Sequence, residues 1–313
     1  MSPRLPFVKV ATTEEIPEGS IRHVLVHDKP IALCNVEGHF YAVNAVCPHM
    51  GGPLASGRLA GCVVTCPWHG WTFDVRTGLP ELCTRRCGFC AVPKGRPAGQ
   101  VDWAEPERVA QAAERMGLKY IVVTSVDRDD LKDGGSTIFA KTIEALRNRI
   151  EGCKVEVLIP DFRGSDEALR TVLEARPDVL NHNIETVPRL YSVARRGSRY
   201  ERSLRLLDRS REIDPAIPTK SGLMVGLGET MEELFGVLGD LAGVGVDIVT
   251  IGQYLRPSAV QLPVARFYTP EEFATLREEG LRRGLRHVES GPLVRSSYHA
   301  HEQSSSLDSQ LKQ

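Results

Sequence analysis

The 313-residue chain has no excess charge of either sign: 39 basic and 40 acidic residues leave a formal net charge of -1 at pH 7. So even a balance offers no bulk attraction to nucleic acid or to an anionic membrane surface, and neither partner is expected. The one dense basic run, "ARRGSRYERSLR" at 194–205, reads as a solvated face or as a contact for a phosphate or carboxylate. Also missing is the charged-then-apolar layout of a secretory signal in "MSPRLPFVKV", and no apolar run approaches a membrane span. These absences predict a cytoplasmic chain. With 42% hydrophobic and 25% charged residues it can bury a real core, and its length fits two domains or one barrel with an appendage.

Cysteine is present, and unevenly placed. The eight stand at 34, 47, 62, 66, 83, 87, 90 and 153, most of them crowded between Cys47 and Cys90. In a reducing compartment such thiols serve as ligands or stay buried, and disulfides are not expected. Crowding of this kind points to metal.

The chain changes rhythm around that crowd. Residues 6–75 read as short strands ("RHVLVHD", "PIALCNVEG", "HFYAVNAV", "GCVVTCP", "WTFDVRTG") punctuated by Gly, Asn, Asp and Pro, which predicts a small antiparallel β domain. From about Glu105 helices and strands alternate. "EPERVAQAAERMGL" places Val109, Ala112, Ala113 and Met116 on one helical face, and "KYIVVTSV" follows as an apolar strand. Helices are expected near 136–150, 165–175, 200–212, 230–243 and 270–283. Between and after them come the strands "KVEVLIPD", "DVLNHNIE", "TKSGLMVGLG" and "DIVTIGQYL". Apolar strands reached through helices predict a parallel α/β sheet or barrel, with polar residues at the strand ends where such folds place their sites.

Two ligand constellations lie at the change of rhythm. Cys47-Pro-His49 and, after a 16-residue gap, Cys66-Pro-Trp-His69 offer two thiolates and two imidazoles. By ligand type a Cys₂His₂ zinc site competes with a two-iron cluster whose irons take sulfur and nitrogen separately. The wider run "CPHMGGPLASG…CPWHGWTFDVRTG" resembles the Rieske [2Fe–2S] family over residues 5–78. That resemblance implies a [2Fe–2S] cluster on Cys47, His49, Cys66 and His69. No further cysteine follows either pair, which matches the ferredoxin type, with a potential near the low end of the Rieske range, about -150 mV.

The second constellation, "CTRRCGFC", sets Cys83, Cys87 and Cys90 in a Cys-x₃-Cys-x₂-Cys loop. Three thiolates on a four-iron cube leave one iron open, whereas a zinc knuckle would need a fourth ligand nearby, and the next histidine is His182. The loop resembles the radical S-adenosylmethionine (SAM) signature. Seven blocks in order, "CTRRCGFCAVPKGRP", "YIVVTSVDRDDLKDGG", "LIPDFRG", "DVLNHNIETVPRLY", "IPTKSGLMVGLGET", "GQYLRPS" and "GPLVRSSYHA", resemble the lipoyl synthases. The resemblance implies a partial (βα)6 barrel over 81–301, between a Rieske-like domain at 1–80 and a polar tail at 302–313. It implies a [4Fe–4S] cluster that reduces SAM to a 5′-deoxyadenosyl radical, and sulfur insertion at carbons six and eight of an octanoyl chain on a lipoyl carrier protein domain. Thr124, Asn183, Glu185 and Lys220 would hold SAM, and Gly226 and Gly228 would let the backbone approach it. The alternative is a Rieske electron carrier fused to an inert barrel.

Two departures accompany the resemblance. The family's second [4Fe–4S] cluster uses a Cys-x₄-Cys-x₅-Cys run and the first serine of "RSSY". Ser296 is here but the run is not, so the ligand set is incomplete. In addition, only "LPEL" separates Gly78 from Cys83, too short for the barrel's first strand, and no strand is expected after "FDVRTG" to close the β domain. A donor at about -150 mV lies roughly 250 mV above the -400 mV of a plant-type ferredoxin, some four powers of ten uphill for one electron. A separate low-potential ferredoxin or flavodoxin is therefore the expected reductant.

Overall fold

Two tight turns set the register of the first sheet. His27 and Asp28 both take positive φ, as do Glu37 and Gly38, the backbone that two-residue hairpins of matching twist require. They join β1 (Ile21–Val26), β2 (Lys29–Val36) and β3 (His39–Asn44) into an antiparallel sheet, pairing Val26 with Lys29 and Val36 with His39. A second antiparallel sheet runs β4 (Arg58–Ala60), β5 (Val63–Thr65), β6 (Thr72–Asp74), β7 (Leu79–Pro80). This is a computed structural model that describes residues 8–47, 51–68, 72–76, 79–80, 82–92, 94–95, 101–298 and 300–302. The chain divides into two compact units, Met1–Leu82 and Cys83–Gln313. Ala32, Cys34, Val36, Val43, Leu54, Val64, Phe73 and Val75 fill the core of the first, together with Cys47 and Cys66.

β7 corrects the expectation that nothing closes this β domain. Leu79 pairs with Asp74 and Pro80 with Phe73. A proline is tolerated there because β7 is the sheet's last strand, so its missing N–H costs no ladder bond on a second side.

In the second unit six parallel strands lie in the order β15-β14-β13-β11-β10-β9. They are β9 (Tyr120–Thr124), β10 (Lys154–Leu158), β11 (Val179–Asn181), β13 (Thr219–Val225), β14 (Ile248–Gln253) and β15 (His287–Gly291). The helices α1 (Glu105–Arg115), α2 (Ser136–Arg149), α3 (Asp166–Glu174), α5 (Tyr200–Ile213), α6 (Met231–Gly243) and α7 (Pro270–Arg282) alternate with them, and α4 (Tyr191–Ala194) is a single turn. A ribbon of β8 (Arg86–Cys87) and β12 (Arg195–Arg196) stands apart from the sheet. The sheet opens with β9, so the residues just before Cys83 lend it no strand.

Local signals explain the helix bounds. Thr230 with Glu233 and Thr269 with Glu272 form reciprocal capping boxes at α6 and α7, and the Ser165 side chain caps α3. The first helix departs from expectation: its buried residues are Pro106, Ala110 and Ala113, while Met116 lies past its end and is exposed. The stripe of small side chains lets α1 lie close on α2, and the longer Met116 has no place in that seam. One cluster packs Ile143 and Leu146 of α2 with Val155, Val157, Leu169 and Val172. A second packs Leu234, Leu238 and Leu241 of α6 with Leu207, Val249 and Ile251. Among the described residues no helix is long and apolar enough to cross a membrane.

Leu146 is wholly buried. Leu146→Ala is expected to lower the unfolding free energy by about 2–5 kcal/mol, read as a fall in the urea midpoint at unchanged slope.

Candidate functional site

The cysteine loop is held by backbone bonds and by one arginine. Gly95 N donates to Cys83 O at 3.0 Å, Lys94 Nζ to Cys87 O at 2.6 Å, and Gly88 N to Ala194 O at 2.8 Å. Thr84 Oγ1 donates to Asp127 O at 2.9 Å and accepts from Asp129 N at 3.0 Å. Gly88 has no room for a side chain: a Cβ would stand 2.9 Å from Leu262 and from Val193 O. Arg85 is buried. It donates to Asp161 Oδ1 and Asp129 Oδ1, both at 2.8 Å, to Gly197 O at 2.7 Å and to Ser198 Oγ at 2.9 Å. Burial works to raise the Asp161 carboxyl, but the Arg85 guanidinium outweighs it and holds the group down at about 2.

The three thiols are half-buried, and burial raises each of them, Cys87 to about 12 even with the Arg195 charge opposing it. Iron binding must therefore displace their protons. Three thiolates in one loop can each hold a separate iron of a cube and leave the fourth iron open, and among the described residues no fourth His, Cys, Asp or Glu groups with them as a zinc site would need.

A cavity of about 310 Å³ opens beside this loop, lined by Phe89 from between Cys87 and Cys90 and by residues at the C-terminal ends of β13 and β14. Asn183, Glu185 and Ser296 line it too. Asn183 Nδ2 donates to Glu185 Oε1 at 3.2 Å and to Ser296 Oγ at 2.8 Å. Gly222 makes room for this cluster, since a Cβ there would lie 2.6 Å from Asn183 Oδ1. Glu185 takes φ 69, rare for a non-glycine residue, and is stitched in place by its N–H to Gly222 O and by Met224 N to its carbonyl, both 2.9 Å. Burial raises its carboxyl pKa, against the Arg195 charge and the Asn183 amide.

The other residues expected to hold SAM lie elsewhere. Thr124 ends β9, exposed, its hydroxyl on Leu158 O at 3.2 Å, and it does not line the cavity. Lys220 is the second residue of β13 and so sits near the opposite end of the strand. It is fully buried, with Nζ 3.0 Å from Glu156 Oε1, and that carboxylate also accepts from Tyr120 OH and Asn181 Nδ2. Burial lowers its pKa and Glu156 resists the fall. Lys220 is thus an internal counter-ion, facing away from the cavity's end of the sheet. Gly226 and Gly228 do take positive φ, but Gly226 is crowded by protein: a Cβ would stand 2.2 Å from Gln253 Nε2 and 2.6 Å from Arg266 O. Its freedom serves the 265–266 segment.

Sequence reasoning passed over Arg85, Phe89 and Arg195. Arg195, read as part of a basic run, is buried. It donates to Tyr191 OH at 3.1 Å and Ser203 Oγ at 3.0 Å, and has no carboxylate within ion-pair distance among the described residues. A usable signal existed: Asp127, Asp129 and Asp161 each follow an apolar strand, which marks strand C-termini.

In the first unit Cys47 and Cys66 are both buried. Cys47 N donates to Gly52 O at 2.8 Å, and a Cβ on Gly52 would stand 2.8 Å from Cys66 Sγ, so glycine lets the two ligand loops meet. His49 and His69 lie outside the described residues. Two buried thiols across a glycine contact suit the sulfur-ligated iron of a [2Fe–2S] pair.

Comparison with known proteins bears on both halves. The Rieske [2Fe-2S] domain matches residues 6–86 and the Radical SAM superfamily residues 79–241, so the two overlap at the joint. Lipoyl synthase of Koribacter versatilis is 60% identical over 250 residues, 79% of this chain and 82% of that protein. Lipoyl synthase of Symbiobacterium thermophilum is 61% identical over 226 residues, 72% of this chain and 70% of that one. A crystal structure of SuiB from Streptococcus suis, bound to S-adenosylmethionine, is 13% identical and shares the fold at a TM-score of 0.51, covering 67% of this chain and 48% of that one.

Parallel sheet and cysteine loop together define a radical SAM enzyme preceded by a Rieske domain. Identity at this level over most of the chain goes further: it belongs to the lipoyl synthases, the radical SAM sulfurtransferases of lipoylation. A [4Fe–4S] cluster with SAM and a [2Fe–2S] Rieske cluster go with those two domains. The family's second [4Fe–4S] cluster has an incomplete ligand set here. Beyond the loop, Cys83–Gln313 holds only Cys153, at the N-terminal end of β10 and buried.

Two expectations follow. Removing one partner of a buried pair strands the other charge, so Lys220→Met should lower stability by about 3–5 kcal/mol, and Lys220→Met with Glu156→Gln should recover most of it; denaturant titration of both variants reads the difference. His182 is fully buried, with Nδ1 donating to Ile159 O at 2.8 Å and Nε2 accepting from Ser203 Oγ at 2.9 Å. Burial pushes its pKa down to about 3 from 6.5, so the unfolded chain binds the proton first as pH falls. Its stabilisation is complete above pH 6.5 and is lost towards pH 3, at up to about 1.4 kcal/mol per pH unit. His182→Gln should flatten that part of the stability–pH curve.

Proposed function

We propose that the chain acts on an octanoyl group carried by a lipoyl carrier protein domain. Cys83, Cys87 and Cys90 hold the [4Fe–4S] cluster, and the cavity beside them holds SAM. The observation that carries this reading is the cavity itself: Phe89 of the cysteine loop and the Asn183–Glu185 pair at the strand ends line one space of about 310 Å³. When bound, the cluster supplies the electron that cleaves SAM to a 5′-deoxyadenosyl radical.

The chain's own residues do the rest of the positioning. Arg85 and Thr84 fix the loop against the 127–129 turn. Asn183 and Glu185 offer an amide and a carboxylate to the ribose hydroxyls and the methionine ammonium. Arg195, buried near Cys87 and Glu185, offsets the negative charge of a thiolate-bound cluster. Leu223, Leu255 and Val294 give the cavity an apolar wall. Insertion at carbons six and eight needs a sulfur donor, which the cysteines of Cys83–Gln313 do not hold once the loop is occupied. The electron comes from a low-potential ferredoxin or flavodoxin.

The test is anaerobic: iron-loaded protein with dithionite and SAM should form 5′-deoxyadenosine, faster with an octanoylated carrier domain, and Cys87→Ala should abolish it. Fully iron-loaded protein that leaves SAM intact would overturn the reading.

A further inference from the structure

We propose that Ser296 belongs to the SAM pocket in this chain, holding Asn183 in the orientation the cofactor needs, and is not a ligand to a second cluster. The inference rests on the reading that Cys83, Cys87 and Cys90 carry the SAM-binding cluster.

The serine hydroxyl spans the edge of the Asn183 amide. It accepts from Nδ2 at 2.8 Å and donates to Oδ1 at 3.2 Å. The same Nδ2 donates to Glu185 Oε1 at 3.2 Å, and a carboxylate on that side dictates which end of the amide faces which way. Oδ1 is thereby turned towards the serine hydrogen and the space that Gly222 leaves open. Serine, asparagine and glutamate form one locked unit on the cavity wall. With their donors spent on one another, the three side chains present acceptor oxygens, which suit the ribose hydroxyls and the methionine ammonium of SAM.

The backbone carrying the serine is built into the same wall. Val294 O presses on Gly252 so closely that a Cβ there would stand 2.1 Å away, and Arg295 Nη1 donates to Gln253 O at 3.4 Å. Val294, Arg295 and Ser296 all line the cavity. Cluster ligation would need companions for the serine, and Cys153, the one cysteine of this unit outside the loop, lies at the other end of the parallel strands. A second cluster does not fit the residues of this unit.

The experiment compares the full-length chain with Ser296→Ala, Ser296→Thr and Cys87→Ala after anaerobic reconstitution. Iron and sulfide are counted per chain, SAM affinity is measured by equilibrium dialysis, and the reduced cluster is followed by EPR as SAM is added. Wild type and Ser296→Ala should both hold about six irons, two plus four. Ser296→Ala should bind SAM about five- to tenfold more weakly, the scale of one hydrogen bond, with the EPR change moved to correspondingly higher SAM. Ser296→Thr, which keeps the hydroxyl, should return to within about twofold of wild type. A wild type with about ten irons, a Ser296→Ala chain that loses a four-iron cluster, unchanged SAM affinity in that variant, or no recovery by threonine would each overturn the proposal. If wild type binds SAM no better than Cys87→Ala, the cluster assignment fails and takes this inference with it. If wild type binds SAM and Ser296→Ala binds it equally, the cluster assignment stands and the role of Ser296 alone falls.

Discussion

The placement of the cysteine loop, on which the site's chemistry depends, rests on where one guanidinium is held. No strand of the parallel sheet leads into the cysteine loop, so the loop cannot inherit its position from the sheet's hydrogen-bond ladder. Arg85 supplies the position instead. It ties the loop to the turn after β9 through Asp129, to the end of β10 through Asp161, and to the turn after β12 through Gly197 O and Ser198. Desolvating an arginine costs several kcal/mol and is offset only when nearly every donor is met by an acceptor, which is the situation here. Asp161 is shared with Arg202, at 2.8 Å, so the tie extends to α5. Without Arg85, the buried Asp161 and the partly buried Asp129 would lose the counter-charge they share and the cysteine loop would lose its anchor.

The far wall of the site follows from a different constraint, close backbone approach. Gly222 and Gly252 sit on β13 and β14, and each leaves space for a polar partner that any side chain would displace: the Asn183 amide at one, Val294 O at the other. Glu185 accepts an unfavourable backbone angle to enter the same space, and two main-chain hydrogen bonds to β13 hold it there. Loop, strand ends and C-terminal segment thus converge for separate reasons on one cavity.

Much of this was legible in the chain. Helix and strand periods located α2, α3, α5, α6 and α7 within a residue or two, because their apolar faces and caps are local signals. Asn183 and Glu185 could be placed because they follow the apolar stretch of their strand. Lys220 could not: in "TKSGLMVGLG" the lysine opens the strand, and its partner Glu156 is 64 residues away, so only the fold shows which end of the sheet it occupies. The glycines of "VGLGE" look like a cofactor cradle in sequence, yet Gly226 yields to Gln253 and Arg266, which lie far along the chain. Arg195 looked solvated because charge runs usually are; its burial comes from β8, Tyr191 and Ser203. Of the four expected Rieske ligands, the positions of Cys47 and Cys66 are described here, and His49 and His69 lie outside the described residues.

The pairing of Leu79 and Pro80 with β6 also governs the order in which the chain can mature. Two residues cannot serve two sheets. Since they complete the earlier one, the N-terminal module has its last strand before Cys83 leaves the ribosome, and it can settle while the helices and parallel strands are still being made.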